Sequence, residues 1–248
     1  MLFFYFFQNI ILIIDYFILG FRGLCGIYQT DNHKNLHLNP IRNMKLGLLG
    51  GTPLAKTLGK KFIHAGLNVV FGVRNDFDTE ETEWKMLNRL HNRICPFESA
   101  IIQSEIILIC CENQYLNTIC QALKNVDTEE KLIIDCTNAP YDDKLGDTNM
   151  RLLKKAAPKA HWFKAFNNLG IDYPTSDILG IIKETYYCGD EVPEKIRVKR
   201  LIELIGYKAV DAGKSTNAPL LEAFYHLSKE ISWNKKETSN FHFKLVSI

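Results

Sequence analysis

The chain has 248 residues, of which 46% are hydrophobic, 23% charged and 11% aromatic, and its formal net charge is +2. That hydrophobic fraction excludes a disordered chain, and so small a charge leaves no basic excess to neutralise phosphates, which excludes a nucleic-acid binder. The seven cysteines form no C-x-x-C pair, which predicts reduced, buried thiols rather than a disulfide framework or a zinc site; no metal is expected.

The first element is an oily leader. Residues 2–21 (LFFYFFQNIILIIDYFILGF) carry eight aromatics and a single charge, Asp15. About 20 residues suffice to cross a bilayer, although Asp15 costs an inserted helix about 2.5–3.5 kcal/mol. No Lys or Arg precedes the run, so it does not read as a cleaved secretory signal. Two readings stay open. Either the run is an anchor, in which case Arg22, Lys34 and Arg42 place the body in the cytoplasm; or it is an extension ahead of a body that begins at Met44 and is itself cytoplasmic. Residues 32–43 read as a polar linker, so the chain divides into 1–43 and 44–248.

From residue 44 onward, strand and helix signals alternate. Residues 44–49 (MKLGLL) read as a strand stopped by Gly50-Gly51-Thr52-Pro53. Pro53 suits the first turn of a helix carried by Leu54, Leu58, Phe62 and Ile63 and ended near Ala65-Gly66. Residues 68–72 (NVVFG) predict a second strand, and the charged stretch 76–93 a solvated helix with Trp84, Leu87 and Leu90 on one face. A short strand at 94–96 and a helix at 97–104 follow. Residues 105–111 (EIILICC) form a continuous apolar run, as expected of a strand buried on both faces of a parallel sheet. A helix at 115–123, a strand at 131–135, a helix at 150–157 and a strand at 161–165 complete the rhythm. It predicts an α/β protein with a Rossmann-like, doubly wound, mostly parallel sheet, helices on both faces and a small helical C-terminal part.

The junction Gly50-Gly51-Thr52-Pro53-Leu54-Ala55 stands where a dinucleotide-binding fold carries G-x-G-x-x-G/A. Gly50 allows the tight turn, and backbone N–H groups at the helix start are expected to face a pyrophosphate. Thr52 replaces the second glycine; its hydroxyl could donate to phosphate, or its β-branch could crowd it. NAD sites place an acid about 20 residues beyond the first glycine. This chain has Gly72-Val73-Arg74-Asn75 there, and a guanidinium grips a ribose 2′-phosphate where a carboxylate would repel it. NADP(H) is therefore the expected cofactor, with Asp76 and Asp78 as the competing partners of Arg74.

Several segments together carry a resemblance: 44–75, "IIDCTNAP" (133–140), "WFKAFNNLG" (162–170), 186–227 and "NFHFKLV" (240–246). They resemble the NADPH-dependent coenzyme F420 reductase-like family, relatives of the reductase domain of the Steap metalloreductases. The resemblance implies that Gly50, Gly51, Thr52, Pro53, Leu54 and Ala55 cradle the pyrophosphate and that Val73, Arg74 and Asn75 meet the 2′-phosphate. It also implies that Cys111 borders a ribose, that Asn138 and Pro140 close the fifth strand, and that the run Lys164-Ala165-Phe166-Asn167 borders the nicotinamide. Gly189-Asp190 and Asp211 to Gly213 match further landmarks. Ala139 is inserted between the family's adjacent Asn and Pro, and Asn168 replaces a Thr.

The implied activity is hydride transfer between NADP(H) and a deazaflavin or flavin acceptor, which needs orientation and exclusion of water but no dedicated acid or base. No residue is therefore assigned a catalytic role. His64 and His161 read as surface or structural residues. His226, on a helix with Leu220, Leu221, Phe224 and Leu227, faces either the core packing or an active-site cleft. The expected partners are a small-molecule acceptor and, as an open possibility, a second copy in a homodimer. A membrane partner is expected only if 2–21 is an anchor. The competing function is an NADPH-binding sensor without turnover.

Overall fold

The computed structural model describes residues 44–78, 84–85, 93–141, 148–235 and 241–246. The leader and most of the charged helix expected at 76–93 lie outside these residues. Among the described residues no helix is long and apolar enough to cross a membrane.

Chain order follows the predicted alternation: β1 (Lys45–Leu49), α1 (Pro53–His64), β2 (Asn68–Val73), β3 (Ile94–Pro96), α2 (Phe97–Gln103), β4 (Ile106–Ile109), α3 (Leu116–Lys124), β5 (Leu132–Asp135), α4 (Asn149–Ala156), β6 (His161–Ala165), β7 (Glu184–Gly189), α5 (Val192–Leu204), β8 (Lys208–Asp211) and α6 (Ala218–Asn234). The strands form one sheet in the order β3-β2-β1-β4-β5-β6-β7-β8. Pairing is parallel except between β6 and β7.

The apolar runs are explained by this sheet. In β4, Ile106 and Leu108 join one core while Ile107 and Ile109 join the other; a strand covered on both faces cannot alternate with polar residues. One face is packed by α1 and α5 through Leu54, Leu58, Phe62, Val198, Leu201 and Ile202. The opposite face is packed by α2, α3, α4 and α6 through Phe97, Ile101, Ile119, Leu123, Leu153 and Leu221. Helices thus cover both faces, as a doubly wound sheet requires. The C-terminal region is not helical alone, because β7 and β8 extend the same sheet beyond β6.

β1 lies between β2 and β4, so the chain's winding reverses beside it. Open α/β sheets bind ligands at such a point, outside the carboxyl ends of the strands.

Candidate functional site

A cleft of about 430 Å³ opens at that reversal. Its walls come from Leu54 in the first turn of α1, from Cys110 to Asn113 after β4, from Cys136 to Tyr141 after β5, from Ile171, and from Tyr225, His226, Lys229, Glu230 and Trp233 of α6.

At the turn before α1, Gly50 has φ +129°, and an added Cβ would collide with the Cys110 carbonyl. Only glycine fits both the backbone geometry and the approach to β4. On Gly51 an added Cβ would run into the Phe77 ring. Thr52 takes neither part foreseen for it. It is buried, its hydroxyl donates to the Cys110 carbonyl at 2.7 Å, and the same oxygen accepts the Ala55 N–H at 3.2 Å as the N-cap of α1. The hydroxyl ties the turn to β4 instead of donating to phosphate, and the β-branch points into the protein.

The helix start also differs from expectation. Pro53 has no N–H, that of Leu54 donates to the Ile171 carbonyl at 3.1 Å, and that of Ala55 goes to Thr52. The N–H groups of the first turn are thus already spent within the protein. Ala55 itself is wholly buried, and Pro53 is exposed beside it.

Arg74 stands just beyond β2 and is 33% exposed. Its guanidinium lies 4.8 Å from the Tyr115 ring centre and 5.6 Å from that of Phe77, and its Nε is 2.9 Å from an Asp76 oxygen. Asp76 is largely exposed, so this pair contributes little and is readily exchanged for another anion. Asn75 is exposed, whereas Val73 is buried in the strand and presents no side chain at the surface.

Leu54, Cys111 and Asn138 line the cleft. Burial pushes the Cys111 thiol far up, with the Asp135 carboxylate adding to it, and burial does the same to Cys136. These are protonated, inert thiols rather than redox groups. Ala165, Phe166 and Asn167 are buried and do not line the cleft. Phe166 has φ +64°, an uncommon conformation for a bulky residue, and its ring packs edge-on to Tyr207.

What lies under the cleft floor is ionic. Lys164 is fully buried; its Nζ is 2.6 Å from both Asp135 Oδ2 and Glu222 Oε1, and it donates to the Thr137 carbonyl at 2.9 Å. Burial by itself lowers a lysine pKa, but Asp135 and Glu222 outweigh it and hold Lys164 above its ordinary value. Burial raises the Glu222 carboxyl despite the opposing pull of Lys164. The other Glu222 oxygen accepts the Ala139 N–H at 3.0 Å. Asparagines complete the loop. Asn167 donates to the Thr137 carbonyl at 2.6 Å, Asn138 to that of Asn167 at 3.2 Å, and Asn113 to that of Asn138 at 3.0 Å. Asn149 reaches Asn113 and Thr137.

Sequence reasoning missed Asp135 and Glu222 as parts of this floor. The available signal was a charge inside each of two buried runs, Asp135 ending LIID and Lys164 within HWFKA, since a buried charge needs a partner. Glu222, 58 residues after Lys164, gave no such signal. Of the histidines, His64 is exposed and His161 pairs with Glu130 at 3.3 Å, while His226 lines the cleft.

Comparison with known proteins follows this geometry. Residues 45–139 match the family model described as NADP oxidoreductase coenzyme F420-dependent. The chain is 22% identical over 196 residues to metalloreductase STEAP3 of Rattus norvegicus, covering 78% of this chain and 39% of that one. It is 21% identical over 181 residues to human metalloreductase STEAP2, covering 73% and 36%. The chain thus aligns with under two fifths of the length of these curated relatives. Among solved structures, a protein assigned as an F420-dependent NADP-reductase from Arthrobacter sp. FB24 superposes with a TM-score of 0.68 at 19% identity, covering 82% of this chain and all of that one. A reductive aminase from Aspergillus terreus, in complex with NADPH and ethyl levulinate, gives 0.57 at 16% identity, covering 78% and 63%. In sequence over residues 45–139, and in fold over most of the chain, the protein resembles the NADP oxidoreductases of the coenzyme F420-dependent family.

Proposed function

We propose that the protein is an NADP(H)-dependent oxidoreductase that moves a hydride between the nicotinamide and a deazaflavin- or flavin-like acceptor. The observation that carries this reading is Arg74. It stands where an NAD site needs a carboxylate, partly exposed and flanked by the Tyr115 and Phe77 rings. A planar guanidinium so placed can pair with a 2′-phosphate once it leaves Asp76.

The residues present fit the cofactor. The Gly50 turn brings the backbone close to β4, Arg74 marks the adenosine end, and the cleft provides room beyond the turn. When bound, the cofactor supplies the hydride, and the protein supplies orientation and exclusion of water. Leu54, Cys111 and Asn138 line the inner part of the cleft. The asparagine network and the Lys164 ion group hold the segment after β5 that forms its floor. Tyr141, Tyr225 and Trp233 at the outer end offer aromatic faces to a planar acceptor.

One observation favours the second reading, an NADPH-binding protein without turnover. The first-turn N–H groups of α1 are already taken by Ile171 and Thr52, which weakens the anion site of the helix end. Steady-state oxidation of NADPH with FMN, coenzyme F420 and ferric chelates separates the two. The oxidoreductase reading expects turnover with at least one acceptor and a marked preference for NADPH over NADH. Tight NADPH binding with no turnover on any of them would establish the second.

A further inference from the structure

We propose that His226 is the proton-transferring residue of the cleft, giving a proton to the acceptor as the hydride arrives from the dihydronicotinamide. This rests on the oxidoreductase reading above and adds a residue that hydride transfer alone does not demand.

Its position follows from the fastening of α6 to Ala139. The Ala139 N–H goes to Glu222, one helical turn before His226 on α6, at 3.0 Å, and Ala139 and His226 both line the cleft. Residues four apart on a helix share a face, so the bond that ties α6 to the loop after β5 also keeps His226 beside that loop. Glu222 is itself anchored by Lys164. The imidazole is therefore held at the wall of the cleft, beside the segment after β5, by the fastening of its helix.

The surroundings suit a transient charge. Tyr141 and Tyr225 flank the ring, with centres 5.6 and 5.4 Å away. The charged and titratable groups that line the cleft with it are Tyr225, Lys229 and Glu230 on α6, Cys136 and Tyr141 after β5, and Cys110, Cys111 and Glu112 after β4, with Glu222 one turn back on α6. Burial lowers the imidazole's pKa, offset in part by the Ala139 carbonyl and the Glu230 carboxylate. A weakened base is a stronger acid once protonated, and its imidazolium is populated on the acid side of neutrality.

The step balances. The acceptor gains two electrons and a hydrogen as hydride at one atom. The imidazolium N–H bond breaks as an O–H or N–H bond forms at another. His226 is left neutral and is reprotonated by water entering the cleft. In reverse, neutral His226 takes the proton as the reduced substrate yields its hydride. The acceptor class is thus one whose reduced form carries a new O–H or N–H bond, such as a quinone imine or a flavin.

The test uses His226→Gln, a polar side chain that does not take up a proton in this pH range, in the full chain. NADPH oxidation is followed with FMN and with dichlorophenolindophenol between pH 5 and 9. The wild-type rate should fall as pH rises through a value below the usual histidine pKa of about 6.5. H226Q should lose that limb and about 100-fold or more in kcat, with NADPH affinity within about twofold. Imidazole NMR of the protein without cofactor gives a second readout: the resonance lost in H226Q should titrate below that pH and move when FMN is added. A retained pH limb, a rate within twofold of wild type, or a His226 resonance indifferent to FMN overturns the role of His226 and leaves the oxidoreductase reading standing. No wild-type turnover with either acceptor, with coenzyme F420 or with ferric chelates overturns that reading and this inference together.

Discussion

Thr52 shows how one side chain can change role without changing the fold. A glycine at this position gives a ligand free approach, whereas the threonine hydroxyl closes two backbone groups, the Ala55 N–H and the Cys110 carbonyl. Removing an N-cap oxygen costs about 1–2 kcal/mol, so Thr52→Ala should lower the free energy of unfolding by that amount in urea titration. Thr52→Gly should also destabilise, and it should not tighten NADPH binding, because the β-branch faces inward. A clear gain in affinity would show that the branch crowds the ligand after all. Arg74 is the complementary case, a side chain poised toward ligand instead of fold. Its exposed pair with Asp76 adds little to stability, so Arg74→Ala should leave the melting temperature nearly unchanged. A hydrogen-bonded charge contributes about 1.5–3 kcal/mol, hence about a 10- to 100-fold loss of NADPH affinity by titration calorimetry, with NADH changed by less than about threefold. Equal losses for both nucleotides would remove Arg74 from the 2′-phosphate.

At the scale of elements, β5, β6 and α6 are fastened by one buried cation between two buried carboxylates. Deleting one partner of a buried ion group leaves charge without compensation, at a cost of about 3–5 kcal/mol. Lys164→Met should destabilise by that amount in denaturant. Because Asp135 and Glu222 hold the Lys164 pKa above its ordinary value, the sign of its pH dependence follows. Its contribution is complete below about pH 10.4, the unfolded value, and is lost as pH rises through the folded value. The stability gap between wild type and Lys164→Met should therefore close in the alkaline range; a constant gap would mean that the lysine acts through packing alone. The elements themselves were legible in the sequence where burial is two-sided: the apolar run at 105–111 could be nothing but an interior strand. Their fastening was not. Glu222 reads as an ordinary polar position on a helix, and its meaning depends on α6 crossing over Lys164, a relation between residues far apart in sequence. The region after residue 166 was likewise hard to read. β8 has half-exposed and exposed residues, and an edge strand of that kind has no continuous apolar signature.

For the whole molecule, the sheet order places Gly50, Arg74, Cys111 and Asn138 at one end of β1, β2, β4 and β5. This much was foreseeable from the strand–turn–helix rhythm, since the first βα turn and the end of the second strand lie at the reversal of winding. Of the cleft's other wall only His226 was foreseen, as one of two readings, because α6 comes from the far end of the chain and reaches the site only through the packing of β7 and β8 beyond β6. A ligand that touches both walls joins the first strand–helix unit to the last helix, and binding to the folded state alone must raise its stability. At 100 times the dissociation constant the gain is about 2.7 kcal/mol. For a body of this size each kcal/mol moves the melting temperature by about 2–4 °C, so saturating NADPH should raise it by about 5–10 °C in calorimetry. NADH at the same concentration, bound about tenfold or more weakly for want of the 2′-phosphate, should give less than about half to two thirds of that shift. In Arg74→Ala the two nucleotides should converge on the smaller value, which ties the gain in stability to the one guanidinium that selects between them. Equal shifts in the wild type would detach cofactor choice from Arg74 and return it to the surface residue it resembles in sequence.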